Sequence, residues 1–135
     1  MNPAEIVLIE DNAGDVFLIE LALKENGIIH RLTRFTSGEE AVQILCNPDE
    51  TDPLVPDAIL LDLNTPRSDG FQVLATLKQT ARFTGVPIAI ITSSRATSDK
   101  HRARLMGTRL IEKPSQLDAF LSTVGQAVKE MLAKG

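Results

Sequence analysis

The strongest constraint in this sequence is the alternation of short apolar runs, rich in Ile, Val and Leu, with segments of helical periodicity. That rhythm is the sign of parallel strands joined by crossover helices, and five such units can be counted. The first run, Ile6 to Ile9, is apolar throughout, as expected of a central strand covered by helices on both faces. From about Gly14 to Glu25, Phe17, Leu18, Leu21 and Ala22 recur at helical spacing, and Asn26-Gly27 forms a stop signal. Ile28 to Phe35 mixes polar and apolar residues and predicts an edge strand. Ser37 followed by Glu40 is a capping box that opens a helix over Gly38 to Leu45.

The connection from Cys46 to Asp57 contains Pro48, Pro53 and Pro56 together with four acids. Proline lacks the N–H that helices and ladders need, so an exposed loop is predicted. Ala58 to Leu61 reads as the third strand, ending at Asp62, and a loop through Asp69 leads to a helix from Gly70 to about Gln79. Val86 to Ile91 is the fourth strand, with Pro87 tolerated near its start. A charged helix of roughly Ser98 to Met106 and a short strand, Arg109 to Glu112, come next. Ser115 is the expected cap of a last helix whose apolar face is Leu117, Phe120, Leu121, Val124, Val128, Met131 and Leu132. The fold predicted is a doubly wound, flavodoxin-like α/β sheet of five parallel strands in the order 2-1-3-4-5, with five helices.

At 135 residues the chain fits one domain, 1–135. A net charge of -4 offers no general attraction for nucleic acid backbones. No apolar run reaches the length of a membrane span, and Met1 to Glu5 lacks a basic lead into a signal sequence, so a cytoplasmic protein is expected. Cys46 is the one cysteine and has no metal-ligand spacing beside it; a structural thiol is the expectation. Neither His30 nor His101 is assigned a chemical role.

In open α/β sheets, ligands bind at the carboxyl ends of the strands, where the winding reverses. The first strand ends in Glu10-Asp11, the third in Asp62, the fourth in Thr92-Ser93 and the fifth in Lys113-Pro114. Glu10, Asp11 and Asp62 converge if the first and third strands are neighbours. Three carboxylates at one crevice repel one another unless a cation neutralises them. Magnesium suits such a site, because it takes oxygen ligands and keeps waters that a phosphate can displace. A carboxylate can attack phosphorus to give an aspartyl phosphate, a reaction that needs charge neutralisation and alignment more than a strong base. Asp62 is the candidate nucleophile, Lys113 the positive charge and Thr92 a hydroxyl donor. Each residue alone also has a plainer reading: a helix start for Glu10-Asp11, a turn for Asp62, a solvated surface for Lys113, and helix caps for Ser93, Ser94 and Ser98.

The set Glu10-Asp11, Asp62, Thr92 and Lys113-Pro114, with Ile59 to Pro66 and Asp69-Gly70, resembles bacterial two-component response-regulator receiver domains over nearly the whole chain, Ile6 to Leu132. The resemblance implies that Asp62 accepts a phosphoryl group from a sensor histidine kinase or phosphotransfer protein. It implies that Glu10, Asp11, Asp62 and the backbone carbonyl of Asn64 hold Mg2+, that Lys113 contacts the phosphoryl oxygen, and that Thr92 moves to hydrogen-bond it. The stretch Asp11 to Asp15 and the proline-containing loop resemble single-domain regulators paired with phytochrome-like kinases. Output would then come from the receiver surface, including a homodimer through the fourth helix, fifth strand and last helix. This chain departs from the family at Leu110, where an aromatic ring is usual, and at Thr65, where methionine is commoner. It also departs in the basic residues Lys100, Arg102 and Arg104 of the fourth helix, which read either as a solvated face or as a docking face.

Three rivals stay open at this level. A haloacid-dehalogenase-type phosphatase also uses an aspartyl nucleophile, but it places an acid two positions on, where this chain has Asn64, and its nucleophile follows the first strand. A flavin module shares the sheet order but needs a phosphate cradle where this chain has Glu10-Asp11. A pseudo-receiver that binds partners constitutively is suggested by Leu110 alone.

Overall fold

The computed structural model describes residues 2–47, 49, 54–66 and 68–134. Its elements are β1 (Ala4–Ile9), α1 (Ala13–Glu25), β2 (His30–Phe35), α2 (Gly38–Leu45), β3 (Ala58–Asp62), α3 (Gly70–Gln79), β4 (Ile88–Thr92), α4 (Thr97–Leu105), β5 (Arg109–Glu112) and α5 (Leu117–Lys134). The strands form one parallel sheet in the order β2-β1-β3-β4-β5, as the sequence predicts. The exposed loop expected at Cys46 to Asp57 falls partly on Pro48 and on 50–53, and the N-terminal reading includes Met1; these lie outside the described residues.

Alternation along each strand divides the core into two layers. On β1, Ile6 and Leu8 face one side with Ile19, Leu23, Phe120, Val124 and Val128, so α1 and α5 cover that face. Val7 and Ile9 face the other with Phe35, Ala41, Phe71, Leu74 and Ala103, beneath α2, α3 and α4. Every residue of β3 is buried, which explains why its sequence shows no alternation.

Most boundary shifts have identifiable hydrogen-bond causes. β2 begins at His30 rather than Ile28, because the Ile28 N–H closes the end of α1 on the Leu23 carbonyl at 2.9 Å. Gly27 makes that turn with φ 71°, a conformation that glycine adopts without strain. β1 starts earlier than expected, at Ala4, whose N–H donates to the Ile29 carbonyl. α1 starts at Ala13 because the Asn12 side chain caps it, accepting the Asp15 N–H at 2.9 Å. β3 extends through Asp62, which pairs in register with Ile91, and β4 extends through Thr92, which pairs with Glu112. β4 begins at Ile88 because the Val86 N–H is taken by Phe83, in a 3-10 turn over Ala81–Phe83 that the sequence reading did not anticipate. α4 is displaced by one residue to Thr97–Leu105.

Three packing expectations are corrected. Phe17 is 65% exposed, and the buried stripe of α1 is Ile19, Ala22 and Leu23, the positions that face α5 and the sheet. Leu117 is exposed rather than part of the buried face of α5. Ser115 stands two residues ahead of α5, and the carbonyl that accepts the Phe120 N–H belongs to Gln116.

The α1–α5 contact depends on a close approach at Gly125, where an added Cβ would lie 1.9 Å from Asn26 Nδ2. That nitrogen donates to the Ala22 carbonyl at 2.8 Å and to the Leu121 carbonyl at 3.1 Å, tying the end of one helix to the other. Gly125→Ala displaces the amide from both, and the expected loss is about 1 to 3 kcal/mol of stability. Urea unfolding measures it, and an unchanged midpoint contradicts the packing account.

Candidate functional site

The parallel registers bring four strand ends to one crevice. Glu10 follows β1, Asp62 ends β3, Thr92 ends β4 and Lys113 follows β5. Glu10 and Thr92 are fully buried, Asp62 and Lys113 nearly so, and Asp11 is exposed at the rim. One carboxylate oxygen each from Glu10, Asp11 and Asp62 lie within 4.8 Å of one another, so the predicted acidic triplet is assembled.

Lys113 spans this cluster. Its Nζ donates to Glu10 Oε1 at 2.7 Å, to Asp15 Oδ2 at 2.7 Å and to Asp62 Oδ2 at 3.0 Å. An ammonium has three N–H donors, and each has a carboxylate. Its backbone N–H donates to the Thr92 carbonyl at 2.8 Å, which continues the β4–β5 ladder to the crevice. The other Asp62 oxygen, Oδ1, accepts the Asn64 N–H at 3.0 Å. Thr92 Oγ1 accepts the Ser94 N–H at 3.0 Å, which leaves its own hydroxyl proton free to donate.

Some contributors were not singled out from sequence. Asp15, noted only as part of a motif, is a fourth carboxylate at the site, placed there by the first turn of α1. An acid four positions after Asp11 at a helix start was the available signal. Arg34, near the end of β2, donates from Nε to the Glu10 carbonyl at 3.0 Å and from Nη2 to the Asp11 carbonyl at 2.9 Å. It therefore holds the backbone that carries the acid pair. Arg95 donates from Nη2 to the Lys113 carbonyl at 3.1 Å and from Nη1 to Glu112 Oε2 at 2.5 Å.

The Ser94 Oγ accepts the Ala96 N–H and donates to Asp99, a helix-entry role in keeping with the plainer reading. Ser93 and Ser98 are exposed, and no side-chain cap bonds the start of α4. Leu110 is half-buried against the core layer beneath α4. Of the basic residues on α4, Lys100 pairs with Glu112, and the Arg102 guanidinium lies over the Phe71 ring at 4.4 Å. Arg104 is exposed. Neither histidine enters the site: His30 bonds Glu20 and the Ile28 carbonyl, and His101 is exposed on α4.

The electrostatics follow from four carboxylates facing one ammonium. Burial pushes the Glu10 carboxyl up to about 7, assisted by its hydrogen bond with Asp62 and opposed by Lys113. Burial also works against the charge of Lys113, but its bonds to Asp15 and Glu10 and the charge of Asp62 outweigh that and raise it above the ordinary lysine value. At the outer end of β5, Lys100 and then Arg95 hold Glu112 below the usual carboxylate range. The all-oxygen donor set fits a hard divalent cation, which would supply the positive charge that one ammonium cannot.

Residues 6–125 match the model of the response regulator receiver domain. The chain is 36% identical over 98 residues to the response regulator Rcp1 of Synechocystis, covering 72% of this chain and 67% of Rcp1. It is 31% identical over 102 residues to the probable methanogenesis regulatory protein FilR2 of Methanothrix harundinacea, covering 76% of this chain and 66% of that protein. The chain thus spans about two thirds of the length of these relatives. The crystal structure of the phosphorylated cyanobacterial phytochrome response regulator RcpA superposes with a TM-score of 0.87 at 28% identity, covering 99% of this chain and 97% of that one. The Mn2+-bound form of Rcp1 superposes at 0.84 with 29% identity, covering 96% of this chain and 95% of that one.

A protonated Glu10 cannot serve as a metal ligand, so divalent-cation affinity is predicted to rise with pH through 7. Between pH 6 and pH 8 the affinity for Mn2+ should gain up to about tenfold per unit below the Glu10 transition and level off above it. The sign for stability is opposite. In the metal-free protein, the folded state holds the Glu10 proton more tightly than the unfolded chain does, so stability falls as pH rises from 4.5 towards 7. Calorimetric titration with Mn2+ measures the first trend, and equal affinities at pH 6 and pH 8 contradict it.

Proposed function

The chain belongs to the response regulator receiver family, and from that premise we propose that Asp62 is its phospho-acceptor, supplied by a sensor histidine kinase or a phosphotransfer protein. The observation that carries this reading is the convergence of Asp62 with Glu10, Asp11 and Lys113 at the carboxyl ends of β1, β3 and β5. A carboxylate oxygen of Asp62 attacks phosphorus, the N–P bond of the donor phosphohistidine breaks, and the imidazole leaves with that electron pair. Glu10, Asp11, Asp62 and the Asn64 backbone carbonyl would hold Mg2+, which would supply positive charge that attracts phosphoryl oxygens. The Lys113 ammonium donates to a phosphoryl oxygen, and the Thr92 hydroxyl turns its free proton to another. The same groups support autophosphorylation from small donors and later hydrolysis of the aspartyl phosphate.

Asn64 also argues against the phosphatase alternative. A phosphomonoester hydrolase of that type needs an acid at this position to protonate the leaving group, and a carboxamide cannot do so.

Residues 1–135 act as one receiver domain in the cytoplasm, with its surface available for docking. Partner docking or homodimerisation through α4, β5 and α5 transmits the phosphorylated state, with Leu110 in place of the usual aromatic relay. The likeness to RcpA and Rcp1 supports a phytochrome-like kinase as the donor.

With acetyl phosphate and Mg2+, intact-mass measurement should show one added phosphoryl group on the wild-type chain and none on Asp62→Asn. Labelling of the variant at the wild-type level would remove Asp62 from this role. Sedimentation with and without the phosphodonor should show a larger species on phosphorylation; an unchanged state rules out homodimer output and leaves docking to another protein.

A further inference from the structure

Asp15 has no part in the acidic triplet that would hold the cation, yet it makes one of the two shortest bonds to Lys113. The three acceptors of that ammonium differ in what happens to them when the site is loaded. Glu10 and Asp62 belong to the triplet, so a divalent cation competes with Lys113 for their oxygens and repels the ammonium itself. Phosphorylation further converts one Asp62 oxygen into an acyl-phosphate ester oxygen, a poorer acceptor. Asp15 belongs to neither the triplet nor the acceptor, and its Oδ2 accepts from Lys113 Nζ at 2.7 Å.

We propose that Asp15 is a positioning residue that tethers Lys113 beside Asp62 while the other two carboxylates are taken up by metal and phosphoryl. The inference rests on Asp62 being the acceptor. Lysine has four rotatable side-chain bonds, and fixing them costs conformational entropy that a free side chain would otherwise meet during phosphoryl transfer. Asp15 meets that cost beforehand. Its side chain is 28% exposed, at the mouth of the site, so it holds the ammonium from the solvent side while the buried carboxylates hold it from within. The first turn of α1 fixes Asp15 in turn, through its backbone N–H to the Asn12 cap.

The tether occupies one Lys113 donor and leaves the other two to exchange acceptors. In the resting site all three N–H groups are engaged, so none is free for an incoming phosphoryl oxygen. A cation that drew Glu10 away would release one donor, and the bond to Asp15 would keep that donor within reach of Asp62. Metal loading thereby prepares the lysine as well as the acceptor.

The test compares wild type, Asp15→Ala, Asp15→Asn and Asp15→Glu for the rate of phosphorylation by acetyl phosphate at saturating Mg2+. Mn2+ affinity, thermal midpoint and the 15Nζ NMR signal of Lys113 are measured alongside. The expected result is a rate lower by about tenfold in Asp15→Ala, an intermediate rate in Asp15→Asn and recovery in Asp15→Glu. The Lys113 ammonium signal should broaden through faster hydrogen exchange in Asp15→Ala, while Mn2+ affinity stays within about twofold and the chain, though its midpoint falls, remains fully folded at the assay temperature. An unaltered rate overturns the tether, as does a fall matched by an equal loss of metal affinity or of folding. If the wild-type chain itself takes no phosphoryl group, the acceptor reading fails; the Lys113 signal still reports whether Asp15 holds the ammonium.

Discussion

One buried ammonium reconciles a set of carboxylates that could not otherwise share a crevice. Glu10 and Asp62 are withdrawn from water, and charge of that kind is tolerated inside a protein only when it is paired and hydrogen-bonded. Lys113 does the pairing from the far edge of the sheet, past β4 to Asp62 and past β4 and β3 to Glu10, so the site exists only if β1, β3, β4 and β5 are all in register. The β4–β5 ladder delivers the lysine backbone to Thr92, and the β1–β3 pairing sets Glu10 beside Asp62. The position of the chemistry is thus a property of the whole sheet.

The compensation is incomplete, and that shapes what the site can take. The elevated Glu10 carboxyl reflects a cluster in which burial and a neighbouring Asp62 outweigh the single ammonium. An oxygen-rich site with surplus negative charge favours a hard cation. Arg34 contributes to the same balance from outside: by binding the two carbonyls behind Glu10 and Asp11, it fixes the acid pair without neutralising the carboxylates directly.

Much of this was legible in the sequence because strand ends can be read where apolar runs stop. Glu10, Asp11, Asp62, Thr92 and Lys113 each sit at such a stop, and knowing the winding rule is enough to bring them together. The starts of α2 and α3, Gly38 and Gly70, were legible in the sequence, the first through its cap Ser37; the Asp69 side chain caps the second. Boundaries fixed by tertiary bonds were not. The loss of Ile28 to the end of α1, and of Val86 to a 3-10 turn, depends on carbonyls that no local pattern reveals. The same holds for Arg34 and Asp15, whose partners lie 24 and 98 residues away. Phe17 shows the converse failure, since a broadly apolar α1 leaves periodicity unable to choose its inward face.

Helices α5 and α4 are fastened to the sheet by different means. α5 is clamped by a row of buried apolar side chains, whereas α4 buries only Ala103. Beyond that alanine, α4 and its entry loop are seated by the stacking of Arg102 on Phe71 and by the pairing of Lys100 and Arg95 with Glu112. Ion pairs at the surface weaken as ionic strength rises, while apolar contacts do not depend on charge screening. The grip on α4 therefore loosens with the salt content of its surroundings and that on α5 does not, so the ionic medium itself sets how readily this edge of the molecule can be rearranged.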